Sequence, residues 1–147
     1  MDAEWWALLD QAVWPAAKIL IAFLLAMPVA FDRELASHSV GLRTFPLVAM
    51  ASCGFVLIGL NAGESNSELV SRIMQGVITG VGFIGGGAIL KGEQSAHGTA
   101  TAASLWNTSA IGAAVAFGRY DLAVVLSLVN FLALRLLKPI KQSLNED

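Results

Sequence analysis

Long apolar runs separated by short polar segments dominate the chain. Five of these runs have the length and apolarity of membrane-crossing helices, which use about 20 residues each. The predicted spans are residues 14–31, 44–60, 69–90, 99–117 and 122–137. The first and the fifth runs are short for a full crossing, so they must borrow flanking positions.

Composition supports a membrane protein over a water-soluble domain. Of the 147 residues, 56% are hydrophobic and 14% are charged, whereas about a quarter of residues are charged in soluble domains. The net charge of −2 leaves no basic footprint for nucleic acid. The single cysteine, Cys53, excludes an intrachain disulfide. The acidic N-terminus lacks the basic region of a signal peptide, so we expect the first span to be retained.

The third run, LVSRIMQGVITGVGFIGGGAIL, is dense in glycine. Glycine costs roughly 1 kcal/mol in a soluble helix, but in lipid the helix survives and small residues let helices approach closely. We therefore predict a compact all-α bundle of five helices with this glycine-rich helix at its centre. The predicted packing residues are Gly76, Gly80, Gly82, Gly85, Gly86 and Gly87. A leucine at Gly80 or Gly82 is accordingly expected to disrupt the fold.

Three of these glycines also spell GxGxxG, the fingerprint of a dinucleotide site. That site needs a preceding strand, a tight turn and an acidic residue about 20 positions later. Here the motif lies inside an uninterrupted apolar run, and the downstream position falls in the sequence TATAASLW. We therefore favour helix packing over nucleotide binding.

The polar segments predict the layout of the chain. Residues 1–13, with Trp5 and Trp6, form an interfacial segment, residues 14–138 form the five-helix domain, and residues 139–147 form a short cytoplasmic tail. Pro28 is expected to bend the first helix or end it early, and the charged residues 32–43 are expected to form a polar loop. The fourth span, rich in Ala, Ser and Thr, suits a bundle interior. Six basic residues against three favour an outside N-terminus and a cytoplasmic C-terminus.

Charged and polar residues at two places are candidates for function. The first cluster comprises Asp32, Arg33, Glu34, Arg43 and Thr44. The plainer interpretation of this cluster is a solvated group of charges at the end of a loop. Charges at headgroup depth are expensive unless they are paired, so the functional interpretation is that the arginines pair with the carboxylates, either as a latch between two helices or as an ion site. The second group is a candidate polar path comprising Arg72, Gln75, Thr101, Ser104 and Asn107. Its plainer interpretation is an interface anchor at Arg72 and interhelical hydrogen bonds elsewhere.

Signals of catalysis and metal binding are weak. The chain has no recognisable nucleophile motif, HExxH or P-loop. Its two histidines, His38 and His97, are about 60 positions apart in predicted loops, and its carboxylates form no recognisable cation cage. We therefore predict a protein without enzymatic activity, bound cofactor or metal centre.

Three ordered motifs resemble the MgtC/SapB family of bacterial inner-membrane proteins. They are AFDRE followed by VGLRTFPLVAM, then RIMQGVITGVGFIGGGAIL, then GTATAASLWNTSAIGAAVAFGRY, and the resemblance covers residues 20–137. The family typically shows Glu-Arg-Glu where this chain has Asp32-Arg33-Glu34. Other departures are Ala30 for a common glycine, Thr99-Ala100 for Leu-Thr, and His97 for a frequent arginine. Longer members add a cytoplasmic C-terminal domain, so the chain resembles a short form.

The resemblance implies a multi-pass inner-membrane protein linked to magnesium limitation, survival in host cells, acid stress and inhibition of the F-type ATP synthase. We therefore expect a stress-adaptation factor that acts through contacts in the lipid bilayer, as a homo-oligomer or with another membrane protein complex. A transporter or channel using Asp32, Arg33, Glu34 and Arg43 is the alternative. A purely structural scaffold is the third interpretation.

Overall fold

The computed structural model describes residues 3–37, 41–62, 67–89 and 98–143. Over these ranges the chain forms five α-helices and no strand. In chain order they are α1 (Ala3–Ser37), α2 (Thr44–Asn61), α3 (Ser67–Ile89), α4 (Thr99–Ala116) and α5 (Tyr120–Ser143). The predicted all-α fold is confirmed, and each of the five apolar runs corresponds to one helix.

Four helices in the described part of the chain are long and apolar enough to cross a membrane. The qualifying stretches are Ala12–Ala36 within α1, all of α2, all of α3, and Tyr120–Lys138 within α5. The exception, α4, is built of small and weakly polar residues, and most of them are buried. Because neighbouring helices shield α4, its side chains need less apolar character than those of a lipid-facing helix. The protein is an all-α membrane bundle.

Two helices are longer than their predicted spans. Pro28 lies inside α1 and does not end it, so Asp32, Arg33 and Glu34 belong to the last turns of a helix and not to a loop. A proline removes one backbone donor, and in hydrocarbon the remaining helical bonds face no competition from water. Helix α5 continues to Ser143, so the predicted tail begins as a continuation of that helix.

The central helix is α4, and the prediction of a central glycine-rich helix is wrong. Helix α4 contacts all four other helices, whereas α3 contacts only α2 and α4 among the described residues. Around α4 the remaining helices follow the order α5, α1, α2, α3, and no described contact joins α3 to α5. The surrounding layer is therefore open between these two helices.

Most of the predicted packing glycines do not pack against other described residues of the chain. A Cβ atom added at five of them would meet nothing within 4 Å; these are Gly76, Gly80, Gly82, Gly86 and Gly87. Gly85 is the exception, because its added Cβ would lie 3.5 Å from Ala102. Leucine at Gly80 or Gly82 therefore has open space, contrary to the expectation from the sequence. Small residues permit close approach, but composition alone does not specify which helix approaches.

Helices α2 and α4 cross at very close range. A Cβ atom added at Gly112 would lie 2.1 Å from the carbonyl oxygen of Ala49, so only glycine fits there. In the same interface the hydroxyls of Ser52 and Ser109 share a hydrogen bond of 2.7 Å. Both serines are buried. An interhelical hydrogen bond of this kind contributes roughly 0.6 kcal/mol in a membrane protein.

Polar contacts also join α1 to its neighbours. The ammonium group of Lys18 donates to the carbonyl oxygen of Ala116 at 2.8 Å, at the last residue of α4. A cation at a helix C-terminus is favourable because the final carbonyls carry partial negative charge. The hydroxyl of Ser127 in α5 donates to the carbonyl oxygen of Leu25 at 2.6 Å. These bonds fix α1 against both α4 and α5.

Replacing Gly112 with alanine should destabilise the bundle, because one methyl group would overlap the backbone of α2. We expect a loss of about 3 kcal/mol, at the upper end of typical overpacking costs. The measurement is the thermal unfolding midpoint of purified protein in detergent. Gly82→Ala is the matched control, since its new methyl group enters open space. Equal midpoints for the two variants would contradict the assigned crossing.

Candidate functional site

The first candidate cluster lies where the end of α1 meets the start of α2. Arg33 is buried, with 8% of its surface exposed. Its Nε donates to the Oδ2 of Asp32 at 3.2 Å, and a second guanidinium nitrogen bonds to the same oxygen. Asp32 is itself only partly exposed. Removing one partner of a buried pair leaves an uncompensated charge, which typically costs 3–5 kcal/mol.

Glu34 holds the segment that leads into α2. Its Oε2 accepts a hydrogen bond from the backbone N–H of Leu42 at 3.0 Å. The preceding residue, Gly41, is pressed against α1, because an added Cβ would lie 2.6 Å from the backbone nitrogen of Glu34. The carboxylate and the glycine together form a latch between α1 and α2, which we call the α1–α2 latch. Its members are Glu34, Gly41 and Leu42.

Arg43 and Thr44 are near the α1–α2 latch but are not part of it. Arg43 occupies the N-cap position of α2, makes no side-chain cap bond and is exposed. Among the described residues it has no hydrogen bond or ion pair with Asp32 or Glu34. The expected pairing of arginine with carboxylate is therefore present for Arg33 and absent, in the described ranges, for Arg43. Thr44 instead lines a groove on the other side of α2.

That groove lies between α2 and α3 and has a volume of about 650 Å³. We call it the α2–α3 groove. Its lining is almost wholly apolar, and only Thr44 and Ser52 contribute hydroxyl groups. The remaining lining residues are Leu47, Val48, Ala51, Phe55, Ile73, Gly76, Val77, Gly80, Val81 and Ile84. Beyond Phe55 the two helices touch, because an added Cβ at Gly59 would lie 2.9 Å from the side chain of Ile73.

The residues of the candidate polar path do not form one path across the described residues. Arg72 is exposed and bonds to Glu68 at 2.7 Å along the surface of α3, and Gln75 is also exposed. In α4, the hydroxyl of Ser104 donates to the Oδ1 of Asn130 at 3.0 Å. The Nδ2 of Asn107 donates to the carbonyl oxygen of Leu126 at 3.2 Å. These bonds match the alternative interpretation, in which α4 and α5 are joined by polar side chains.

Thr101, the last member of that path, is buried near the start of α4. Every buried side-chain nitrogen or oxygen in the described ranges has a hydrogen-bond partner. The described residues also contain no group of three His, Cys, Asp or Glu side chains that could hold a metal ion. His38 and His97 lie outside the described residues.

The opposite end of the bundle carries a separate ion pair in the turn between α4 and α5. Arg119 donates to both carboxylate oxygens of Asp121, at 3.0 and 2.9 Å. These bonds raise the pKa of Arg119 above its ordinary value. Both side chains are well exposed, so the pair contributes little to stability.

Some important residues were not identified as candidates from the sequence. Gly112 is hard to single out in the sequence because its surroundings, AIGAA, resemble many lipid-embedded helices. A glycine among alanines is nevertheless the signature of close helix approach. No sequence pattern indicates the hydrogen bond between Ser52 and Ser109, since the two serines lie 57 positions apart. The sequence also does not indicate which residues line the α2–α3 groove, because the lining depends on how far apart α2 and α3 lie in the folded bundle.

Removing the Glu34 carboxylate should loosen the α1–α2 latch. In Glu34→Ala the N–H of Leu42 loses its acceptor, and a hydrogen bond to a charged group contributes roughly 1.5–3 kcal/mol. We expect faster hydrogen exchange at residues 41–43, measured by mass spectrometry in detergent. Glu34→Gln retains an amide oxygen at that position and should remain close to the parent protein. Unchanged exchange in Glu34→Ala would contradict the latch.

Comparison with known proteins identifies the family. The sequence profile of the MgtC family matches residues 19–143. Protein SrpB of Synechococcus elongatus is 35% identical over 129 aligned residues, which cover 80% of this chain and 71% of SrpB. Protein MgtC of Brucella abortus is 34% identical over 130 residues, covering 88% of this chain and 53% of that protein.

A protein of Escherichia coli K12 named "Putative magnesium transporter YhiD" is 33% identical over 123 residues, covering 80% of this chain and 57% of YhiD. The chain thus spans little more than half the length of the latter two relatives. No solved structure matches the chain. With the family profile covering most of its length and four helices able to cross a membrane, the chain belongs to the MgtC family of multi-pass membrane proteins.

Proposed function

We propose that this protein is a non-enzymatic adaptation factor for magnesium limitation and related stress, acting through contacts with other helices in the membrane. The proposal applies to this chain what its family resemblance implies. Magnesium appears in the name of the Escherichia coli relative, but that name describes the relative and not this chain. Action through contacts is supported by the surface that the bundle leaves exposed between α3 and α5.

The observation that carries the proposal is the opening between α3 and α5. Helix α4 is mostly buried, yet Ala103 and Trp106 are exposed, and Trp106 has 55% of its surface free. Because α1, α2, α3 and α5 surround α4 without a described contact between α3 and α5, the exposed face of α4 looks out through that opening. The small residue Ala103 and the large aromatic residue Trp106 therefore form the base of the opening.

We infer that α3 turns one exposed stripe of small and polar residues toward the opening. Gln75, Thr79, Gly82 and Gly86 follow one another at intervals of four, three and four, which places them along one stripe of the helix. Added Cβ atoms at Gly82 and Gly86 would meet nothing within 4 Å. In hydrocarbon, small residues let another helix approach, and glutamine and threonine gain by bonding to it. We infer that a transmembrane helix docks there.

The docking helix belongs either to a second copy of this chain or to another membrane protein complex. We place the protein in the bacterial inner membrane with its N-terminus outside and its C-terminus cytoplasmic. The sequence basis for this orientation is the excess of basic residues on the side that carries Arg33 and Arg43. In that orientation the α1–α2 latch lies at the cytoplasmic side and holds the helices in register.

A transporter is the second candidate function, because Arg33 and Asp32 form a charged pair at the end of a spanning helix. Buried ionisable residues at membrane depth are typical of ion and solute pathways. Under this function Asp32, Arg33, Glu34 and Arg43 would bind the cargo, and Thr101, Ser104 and Asn107 would line its route. Thr101 and Ser104 are buried, and both Ser104 and Asn107 are engaged in hydrogen bonds to α5.

Filling the opening tests the contact function. Gly82→Leu should reduce co-purification of a membrane partner, or of a differently tagged second copy, from gently solubilised membranes by about tenfold, the factor produced by ~1.4 kcal/mol of lost binding. Gly54→Leu is the matched control, because Gly54 lies on α2 and also faces open space. Equal recovery of the partner with both variants would rule out docking at this opening.

A flux measurement separates the two candidate functions. We expect purified protein in liposomes to move neither Mg²⁺ nor a small anion above the rate of empty liposomes. Uptake by the parent protein that Asp32→Asn abolishes, although circular dichroism shows the variant to be folded at the assay temperature, would establish transport and overturn the contact function. Asp121→Asn is the control, since Asp121 pairs at the opposite end of the bundle.

A further inference from the structure

We propose that the α2–α3 groove holds one acyl chain of a glycerophospholipid, with the anionic headgroup at the N-terminus of α2 beside Arg43. This site is distinct from the opening between α3 and α5. The inference is therefore independent of the proposed contact function.

The dimensions of the groove suit a lipid chain from one leaflet. Its lining runs from Thr44 to Phe55 on α2 and from Ile84 to Ile73 on α3. Each of these stretches has twelve residues, whose ends are about 16 Å apart along a helix, close to half of the ~30 Å hydrocarbon thickness of a bilayer. The contact between Gly59 and Ile73 closes the groove near its deep end. The groove therefore reaches from the headgroup level to about the middle of the membrane.

Two glycines of α3 leave open space in the wall of the groove. Gly76 and Gly80 lie on the α3 side, and added Cβ atoms at either position would meet nothing within 4 Å. An empty space of about 650 Å³ beside lipid would forfeit the dispersion contacts of its walls. Phe55, Leu47 and Ile84 supply exposed apolar walls. A flexible hydrocarbon chain fills such a space without any polar requirement.

The mouth of the groove carries positive charge. Arg43 is exposed at the N-cap of α2, and the first turn of that helix has no acidic residue and no side-chain cap. The N–H of Phe45 already donates to Gly41 at 3.2 Å and Pro46 has no N–H, so phosphate is favoured here by the charge of Arg43 together with the helix dipole. The nearby carboxylates are already engaged, Asp32 by Arg33 and Glu34 by the N–H of Leu42. A basic site between transmembrane helices at the membrane surface is the pattern that recognises anionic headgroups.

A lipid fits the groove better than a helix from a second copy. A transmembrane helix about 10 Å wide needs a surface that extends through the whole bilayer. The groove stops at about half that depth, where α2 and α3 touch. Of the two hydroxyl-bearing residues in its lining, Thr44 lies at the mouth, where a headgroup requires polar contacts, and Ser52 is bonded to Ser109.

The test is photo-crosslinking in liposomes of phosphatidylcholine that contain a trace of phosphatidylglycerol with a diazirine in its acyl chain. Peptide mapping of the full chain should give adducts concentrated at residues 47–55 and 73–84. Gly80→Leu should lower these adducts about tenfold, because its side chain occupies the groove. Gly76→Leu repeats the test at the neighbouring position. Gly54→Leu is the control, since Gly54 has open space around it on α2 and lies outside the groove lining.

The headgroup is tested with a diazirine probe of phosphatidylcholine used at the same concentration. We expect the parent protein to crosslink the phosphatidylglycerol probe several-fold more at the groove, and Arg43→Gln to abolish this preference. Lys138→Gln, which removes an exposed cation from α5, should retain it. The unfolding midpoint of each variant checks that the bundle is intact.

Three outcomes would overturn the inference. Adducts spread evenly over the lipid-facing surfaces of α1 and α5 would mean ordinary bilayer contact. Equal adducts in Gly80→Leu and Gly54→Leu would mean that the groove does not hold the chain. Disulfide-linked dimers of Gly76→Cys in a Cys53→Ser background, without groove adducts in the parent protein, would assign the groove to a second copy.

Discussion

The contact between α2 and α4 is the constraint on which the rest of the bundle depends. At Gly112 the two backbones approach so closely that the methyl group of alanine has no room, and the Ser52–Ser109 bond lies in the same interface. This approach places α4 deep enough for α1, α3 and α5 to contact it. The α2–α3 groove and the opening between α3 and α5 both follow from that arrangement.

The positions of the helices could be predicted because hydrocarbon demands long apolar segments, and the interruptions between them are short and polar. The interior location of α4 was also predictable, since residues such as Ala102 and Ser104 suit helix contacts and not lipid. The identity of the central helix was not. Gly80 and Gly112 carry the same information in the sequence, but Gly112 meets Ala49 while Gly80 meets nothing within 4 Å.

The candidate cluster was predictable in its residues and only partly in its geometry. The cost of unpaired charge at headgroup depth correctly indicated that Arg33 has a carboxylate partner. The contact between Gly41 and Glu34 depends on how the chain returns after α1, and residue types alone do not specify that path. Pro28 does not end α1, because the rule that prolines end helices is weakest where water is absent.

The low apolarity of α4 has a consequence for how the protein is made. A segment rich in alanine, serine and threonine gains little free energy by entering lipid alone. Helix α4 follows α1, α2 and α3 in synthesis, so those three can already be in the bilayer when it emerges. Their exposed surfaces, above all Ala49 and Ser52 of α2, then act as the template that draws α4 into the membrane. Integration of this chain is thus cooperative, and its fourth helix depends on the earlier ones.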